Sequence, residues 1–289
     1  MSSRPLLVCG VGDNVVDRYL DTGLEYPGGN AYNVAVFARR AGAAAAYLGI
    51  VGADASGDHL VNVLRREDVD VSRVRRVPGP NSYAVVHLTP GGNREFAAWE
   101  PIPDRLTLEP EDRELVVRAD LVHTGHASFT ESLVPSLAEL ALVSFDFSYR
   151  GLDYAEPLLP HLWSATFSGA GLTAGQAREL ATTAQGRGPK VVLVTRGAQG
   201  AVVAVDGVLH EEPAAPADVV DTLGAGDAFA ARFLIGLLRG EEAKEAAAAA
   251  AGFAARVCES FGAFGHARSM VTSTSETADP NTDARGEQR

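Results

Sequence analysis

The residues best suited to chemistry lie in one stretch, Asp218-Val219-Val220-Asp221-Thr222-Leu223-Gly224-Ala225-Gly226-Asp227-Ala228-Phe229. A short β-branched run leads into two glycines separated by alanine, then an aspartate. An apolar segment with helical spacing follows, through Ala230, Phe233, Leu234 and Leu237. The glycines therefore sit in a turn that feeds a helix N-terminus. Unpaired N–H groups and the positive end of the helix dipole attract anions there. Gly224 and Gly226 have no side chains, so a phosphate can approach the backbone closely. Asp227 places a carboxylate in the first turn, beside that anion. Such an acid either accepts the proton of a hydroxyl that attacks phosphorus, or only caps the helix.

Other polar groups cluster at loop positions. The apolar run Leu6–Val11 reads as a strand covered on both faces, and it ends in Gly12-Asp13-Asn14-Val15-Val16-Asp17. Beyond the carboxyl end of a parallel strand, Asp13, Asn14 and Asp17 stand where a ligand binds. In Tyr26-Pro27-Gly28-Gly29-Asn30-Ala31-Tyr32-Asn33 the paired glycines again permit close backbone approach, and Asn33 offers both a donor and an acceptor to hydroxyls. Alternatively this is a loop with an N-cap. The strand 190–195 runs into a glycine turn at Thr195-Arg196-Gly197-Ala198-Gln199-Gly200. His123, His126, Asp146 and Arg150 end further strand-like runs, and Asp54 reads as a residue that fixes its own loop.

The elements that must position these residues alternate strand and helix, except between 81 and 102. There Tyr83–Leu88 and Glu95–Trp99 flank a glycine-rich turn at 89–93, the pattern of a hairpin. A hairpin that interrupts a βα rhythm predicts a separate flap. The alanine-rich segment 241–258 is a strong helix former. From 268 to 289 the chain is nearly devoid of apolar residues, which predicts a disordered tail after a domain spanning 1–267.

Composition narrows the function classes. The chain has 289 residues, 46% hydrophobic and 21% charged, as a soluble globular protein does. A net charge of -12 argues against nucleic acid as a partner. No apolar run reaches the length of a membrane span, and the N-terminal one breaks at Gly10 and Gly12, so a cytoplasmic location is expected. Cys9 and Cys258 read as buried thiols. Val15 stands where a dinucleotide fingerprint G-x-G-x-x-G needs its third glycine, and no G-x-x-x-x-G-K-[ST] loop occurs.

The run Asp221–Phe229 resembles the C-terminal signature of the PfkB/ribokinase superfamily of sugar kinases, and Gly28-Gly29-x-x-x-Asn33 resembles its N-terminal element. Thr195-x-Gly197-x-x-Gly200 is similar to a third. The resemblance implies an α/β fold, a three-layer sandwich with a central, mostly parallel sheet and a small β-lid built from about 13–30 and 81–102. It implies that Asp227 is the catalytic base and that Gly224, Ala225 and Gly226 form the anion hole. Asp17, Gly28, Gly29 and Asn33 would hold the sugar, with Arg94 and Glu100 reaching in from the lid. Thr195, Gly197, Gly200, Gly226 and Phe253 would meet the nucleotide. ATP and Mg²⁺ are the implied cofactors, with potassium possible near Asp221 and the loop 261–264. The Asn-x-x-Glu element that helps place Mg²⁺ in many such kinases is missing, since the region reads Ser164-Ala165-Thr166-Phe167-Ser168.

Within the superfamily the likeness is to kinases of fructoselysine, a ketose joined to an amine. It rests on Gly12–Asp17, Gly28–Val36, Leu121–His123 and Phe145–Ser148. It implies transfer to a primary hydroxyl, the 6-hydroxyl, of a small sugar-amine. Glu25 and Glu100 are then candidates for its ammonium, and Arg94 for its carboxylate. A kinase for ribose, fructose, 2-keto-3-deoxygluconate or a nucleoside shares the same signature, and a non-catalytic sugar or nucleotide sensor is a further reading. Exposed lid strands make a homodimer the expected assembly.

Overall fold

The fold is that of a computed structural model and is described for residues 4–88 and 94–270, the side chains of 88 and 94–96 excepted. In chain order the first elements are β1 (Leu7–Gly12), β2 (Val15–Tyr19), β3 (Leu24–Gly28), α1 (Asn30–Arg40), β4 (Ala44–Gly52) and α2 (Ala55–Arg66). Then come β5 (Asp70–Val77), β6 (Tyr83–Leu88), β7 (Arg94–Glu100), α3 (Pro110–Arg118), β8 (Leu121–Gly125), α4 (Val134–Ala138) and β9 (Leu142–Ser148). The chain continues through α5 (Leu152–Ala155), β10 (Ser164–Ser168), α6 (Ala174–Gln185), β11 (Val191–Thr195), β12 (Ala201–Val205) and β13 (Val208–Glu212). It closes with α7 (Ala225–Leu238), α8 (Ala243–Val257) and β14 (Arg268–Ser269).

Nine strands form the central sheet in the order β13-β12-β11-β10-β9-β8-β1-β4-β5. The strands from β11 to β5 run parallel, and β12 and β13 add an antiparallel edge. Alternation along each strand builds two cores, because successive side chains point to opposite faces. Val8, Ala45, Leu121, Val191 and Leu193 face α1, α2, α7 and α8, while Cys9, Ala46, Val122, Val192 and Val194 face α3, α4 and α6. With both faces covered, strand residues are apolar at nearly every position, which is why these runs read as continuous in the sequence.

Close approach of the helices depends on small residues. A β-carbon at Gly10 would lie 2.1 Å from the Ala31 carbonyl oxygen, so only glycine lets α1 lie on β1 here. A β-carbon at Gly236 of α7 would come within 3.0 Å of Ala246 in α8, where Ala246, Ala247, Ala250 and Ala251 form a buried alanine stripe. No described helix is long and apolar enough to cross a membrane.

A second, five-stranded sheet of order β14-β3-β2-β6-β7 stands beyond the strand ends as the lid. Its antiparallel pair β6 and β7 matches the predicted flap; the turn at 89–93 lies outside the described residues. The lid takes in more of the chain than the sequence suggests. Arg268 and Ser269 pair antiparallel with Glu25 and Leu24, so ordered chain passes the boundary expected at 267; residues 271–289 are outside the description. The reason is electrostatic. Glu25 is almost fully buried and needs a cation. Arg268 supplies it through Nε at 2.6 Å, with Arg18 at 3.3 Å, and also donates to the Ala55 carbonyl at 2.6 Å. Replacing Arg268 by Ala should therefore cost about 3 kcal/mol in urea denaturation, the scale of breaking a buried pair. Glu25→Gln in the same chain should recover part of that loss.

Candidate active site

The order of the central sheet reverses at β1, with β4 and β5 to one side and β8 to β13 to the other. In an open α/β sheet the crevice beyond the strand ends at such a point is where ligands bind. A cleft of about 540 Å³ opens there between the sheet and the lid, large enough for a sugar-sized ligand. Asp13, Asp17, Asn33, Asp146 and Asp227 all line it.

Two helices aim their N-termini at this cleft, and they are finished differently. At α1 the carboxylate of Asp13 accepts the N–H of Asn30 at 2.6 Å and of Ala31 at 3.1 Å, and Ser128 Oγ donates to it at 2.6 Å. Its charge thus satisfies the positive end of that helix. At α7 no side chain caps the N-terminus. Gly224 occupies the N-cap with φ +74°, and a β-carbon on it would fall 2.6 Å from that of Ala263. Both constraints demand glycine. A β-carbon placed on Gly226 meets nothing within 4 Å, so the space over this turn is open.

Asp227, in the first turn of α7, is held by α1. Asn33 Nδ2 donates to its Oδ2 at 2.7 Å and Asn30 Nδ2 to its Oδ1 at 2.8 Å. Positions 30 and 33 are three apart, one face of a helix, so a single turn supplies both amides. Asn30 Nδ2 also donates to Asp146 Oδ2 at 2.9 Å. An amide facing two carboxylates must present its nitrogen, which leaves its oxygen as an acceptor. Nε2 of the buried His123 donates to that oxygen at 3.0 Å, and Ser144 Oγ donates to His123 Nδ1 at 3.1 Å. Burial pushes the His123 pKa down to about 3, so the ring is neutral and its tautomer is set by these two bonds. His123, neutral and buried, therefore serves to orient Asn30. Asn33 Oδ1 is buried with no hydrogen-bond partner, an acceptor that a ligand hydroxyl would satisfy.

The other expected site residues divide. Asp17 is buried, and Gly28 passes so close that a β-carbon there would lie 2.1 Å from Asp17 Oδ2. Gly29 lines the cleft, with φ +109° at the N-cap of α1. Asn14 also borders the cleft, with its side chain held by Tyr47, Ile50 and Asn81. Asp54 caps α2 through the Gly57 N–H at 2.8 Å, the loop-fixing role expected of it. Glu25 does not reach the cleft, being spent on Arg268 and Arg18. Glu100 is exposed and does not line it either, whereas Trp99 and Pro101 do; strand alternation turns neighbours to opposite sides. The side chain of Arg94 is outside the described residues.

Thr195 ends β11, two strands over from β9, and lies outside this cleft. Gly197 is exposed in the following turn with φ +56°. Gly200 has a structural reason to be glycine, since a β-carbon would lie 2.0 Å from the Glu212 carbonyl oxygen. Phe253 packs edge-on against Phe37 of α1 at 6.0 Å and borders a separate hollow of about 190 Å³. Asp221 is fully buried and accepts from Tyr19 Oη at 2.6 Å, Leu223 N at 2.9 Å and Gly262 N at 2.9 Å. Those donors satisfy the carboxylate from within the protein and tie the lid and the loop 261–264 to the signature.

Residues 13–267 match the model of the pfkB family of carbohydrate kinases, and the chain belongs to that family. It is 43% identical to the fructosamine kinase FrlD of Bacillus subtilis (strain 168), over 89% of this chain and 92% of that protein. It is 32% identical to the fructoselysine 6-kinase of Escherichia coli (strain K12), over 88% and 98%. Among solved structures, Arabidopsis thaliana ribokinase complexed with ribose and ATP superposes with a TM-score of 0.76 at 22% identity, covering 91% of this chain and 95% of that one. Thermotoga maritima ribokinase gives 0.74 at 20%, covering 92% and 96%. The ribokinase-like architecture read from the motifs is therefore the fold of this chain.

Asp146 gives the site a measurable pH signature. Loss of water around it, and then the charge of Asp227, push its carboxyl from 3.8 up to about 7. A raised folded-state pKa contributes stability below the unfolded value that is lost as pH rises through the folded one. Between pH 5 and pH 8 the wild type should therefore lose stability relative to Asp146→Asn. Urea midpoints of the two proteins that run parallel across this range would show that Asp146 titrates normally.

Proposed function

We propose that this chain transfers the γ-phosphoryl group of ATP to the 6-hydroxyl of a fructosamine, with Asp227 as the base. One observation carries the reading: a carboxylate fixed by two amides stands in the first turn of a helix whose own N-terminus has no side-chain cap. The acceptor sugar would lie on the α1 side, against Asp17, Gly29 and Asn33. Its hydroxyl gives its proton to Asp227 as the oxygen attacks the γ-phosphorus, and the bond to ADP breaks. The N–H groups of Gly224, Ala225 and Gly226 face the charge of the transferring group. The lid limits the water that would compete as acceptor.

The open space over Gly226 and the bare end of α7 suit a nucleotide's terminal phosphate. From there the nucleotide would extend across the strand ends toward Thr195 and Gly197. The metal is a different matter. No group of three or more His, Cys, Asp or Glu among the described residues is placed to hold an ion. The segment Ser164–Ser168 lacks the Asn-x-x-Glu element as well, so the described residues offer no ready-made cage for Mg²⁺. A divalent ion arriving with ATP would neutralise phosphate charge while bound mainly to phosphate oxygens and water. Two relatives named for fructosamine or fructoselysine, at 43% and 32% identity, support the choice of acceptor.

Asp227→Asn should lower kcat on the order of 10²-fold or more, with the fructosamine still bound in calorimetry. A coupled ADP-release assay over fructoselysine, other fructosamines and free hexoses reads both the base and the acceptor. Near-wild-type turnover by the variant would remove Asp227 from the mechanism.

A further inference from the structure

The mechanism leaves one wall of the cleft unused. Trp99, at the end of β7, stacks on Phe129 in the loop after β8, with ring centroids 5.9 Å apart and planes 17° from parallel. Both line the cleft, yet they stay 48% and 37% exposed, a large apolar surface to leave facing a hollow. Phe129 also holds φ +53°, a left-handed backbone that is costly for an aromatic residue and that persists where the surrounding structure enforces it. The guanidinium of Arg105 lies over the Phe129 ring, 4.2 Å from its centroid. Its hydrogen bonds are long ones to carbonyls of its own loop, 3.4 Å to Ile102 and 3.2 Å to Pro103. No described carboxylate lies within ion-pair distance of it. Asp104, next in the chain, lines the same wall.

We propose that this wall binds the amine substituent of the acceptor, and that Arg105 pairs with a carboxylate which that substituent carries. The inference rests on the fructosamine reading above and specifies which fructosamines the cleft selects, namely those made from amino acids. Chemistry favours this occupant over the alternatives. A guanidinium resting on an aromatic face keeps its N–H edge free for a carboxylate, which it can take in bidentate fashion. The stacked pair Trp99–Phe129 offers apolar surface to the carbon stem between sugar and carboxylate. Asp104 beside Arg105 repels a phosphate dianion but gives a counter-charge to a substituted ammonium, so a zwitterion fits where a second phosphate does not.

The test compares steady-state kinetics of the wild type, Arg105→Met and Arg105→Lys on N-fructosylglycine, fructoselysine and N-fructosylmethylamine, the last having the same linkage without a carboxylate. The wild type should show a KM for the methylamine compound at least tenfold above that for the carboxylate-bearing pair. Arg105→Met should raise KM for that pair at least tenfold and leave kcat, KM for ATP and KM for the methylamine compound within twofold. Arg105→Lys should recover part of the loss. An unchanged carboxylate preference in Arg105→Met overturns the proposal, as does a rise in KM for ATP in its place. A wild type that phosphorylates no fructosamine overturns the functional reading itself, and that outcome is seen before any variant is made.

Discussion

Two side-chain amides from one helix hold a carboxylate on another, across 194 and 197 residues of sequence. The rest of the site depends on this grip. A carboxylate at a helix N-terminus is drawn toward the backbone N–H groups of its own turn, where it would serve only as a cap. Asn30 and Asn33 pull Asp227 away from that fate and point it into the cleft. Their hold in turn needs Asp13 to fix the start of α1, and His123 to keep the Asn30 amide the right way round. Every link is a hydrogen bond to a charged or buried group, the class of bond that costs most to leave unmade.

The fold brings these parts together by few means. Parallel strands deliver Asp13, His126 and Asp146 to one edge of the sheet, and the reversal of strand order at β1 leaves a gap between helices there. Gly10 lets α1 lie close on β1, and Gly236 lets α8 lie close on α7. Within the lid Glu25 pairs with Arg268, and the same guanidinium fastens the lid to the body through the Ala55 carbonyl in the first turn of α2. Its strands β6 and β7 bring Trp99 over the opening.

Much of this was legible in the amino-acid sequence, and the limits have physical causes. The signature around Asp227, the paired glycines before α1 and the hairpin beyond 81 are local patterns, and each contributes residues to the wall of the cleft. Asn30 stood inside a quoted motif, but its role rests on a pairing with residues at 123, 146 and 227 that no local pattern contains. Glu25 and Glu100 looked free to meet an amine because burial and strand facing cannot be read from residue type. The strand at 268 was missed because its segment is polar and short; it is ordered by a buried acid far upstream. Arg105 and Phe129 carry no periodicity at all, since both sit in loops.

The unequal finishing of the two helix tips has a consequence for the route the reaction takes. Asp13 already satisfies the first N–H groups of α1, whereas no side chain caps α7, so the two tips differ in their pull on an anion. On the function proposed above, donor phosphate and acceptor sugar would be sorted by charge to opposite flanks of a single acid before either formed a specific contact.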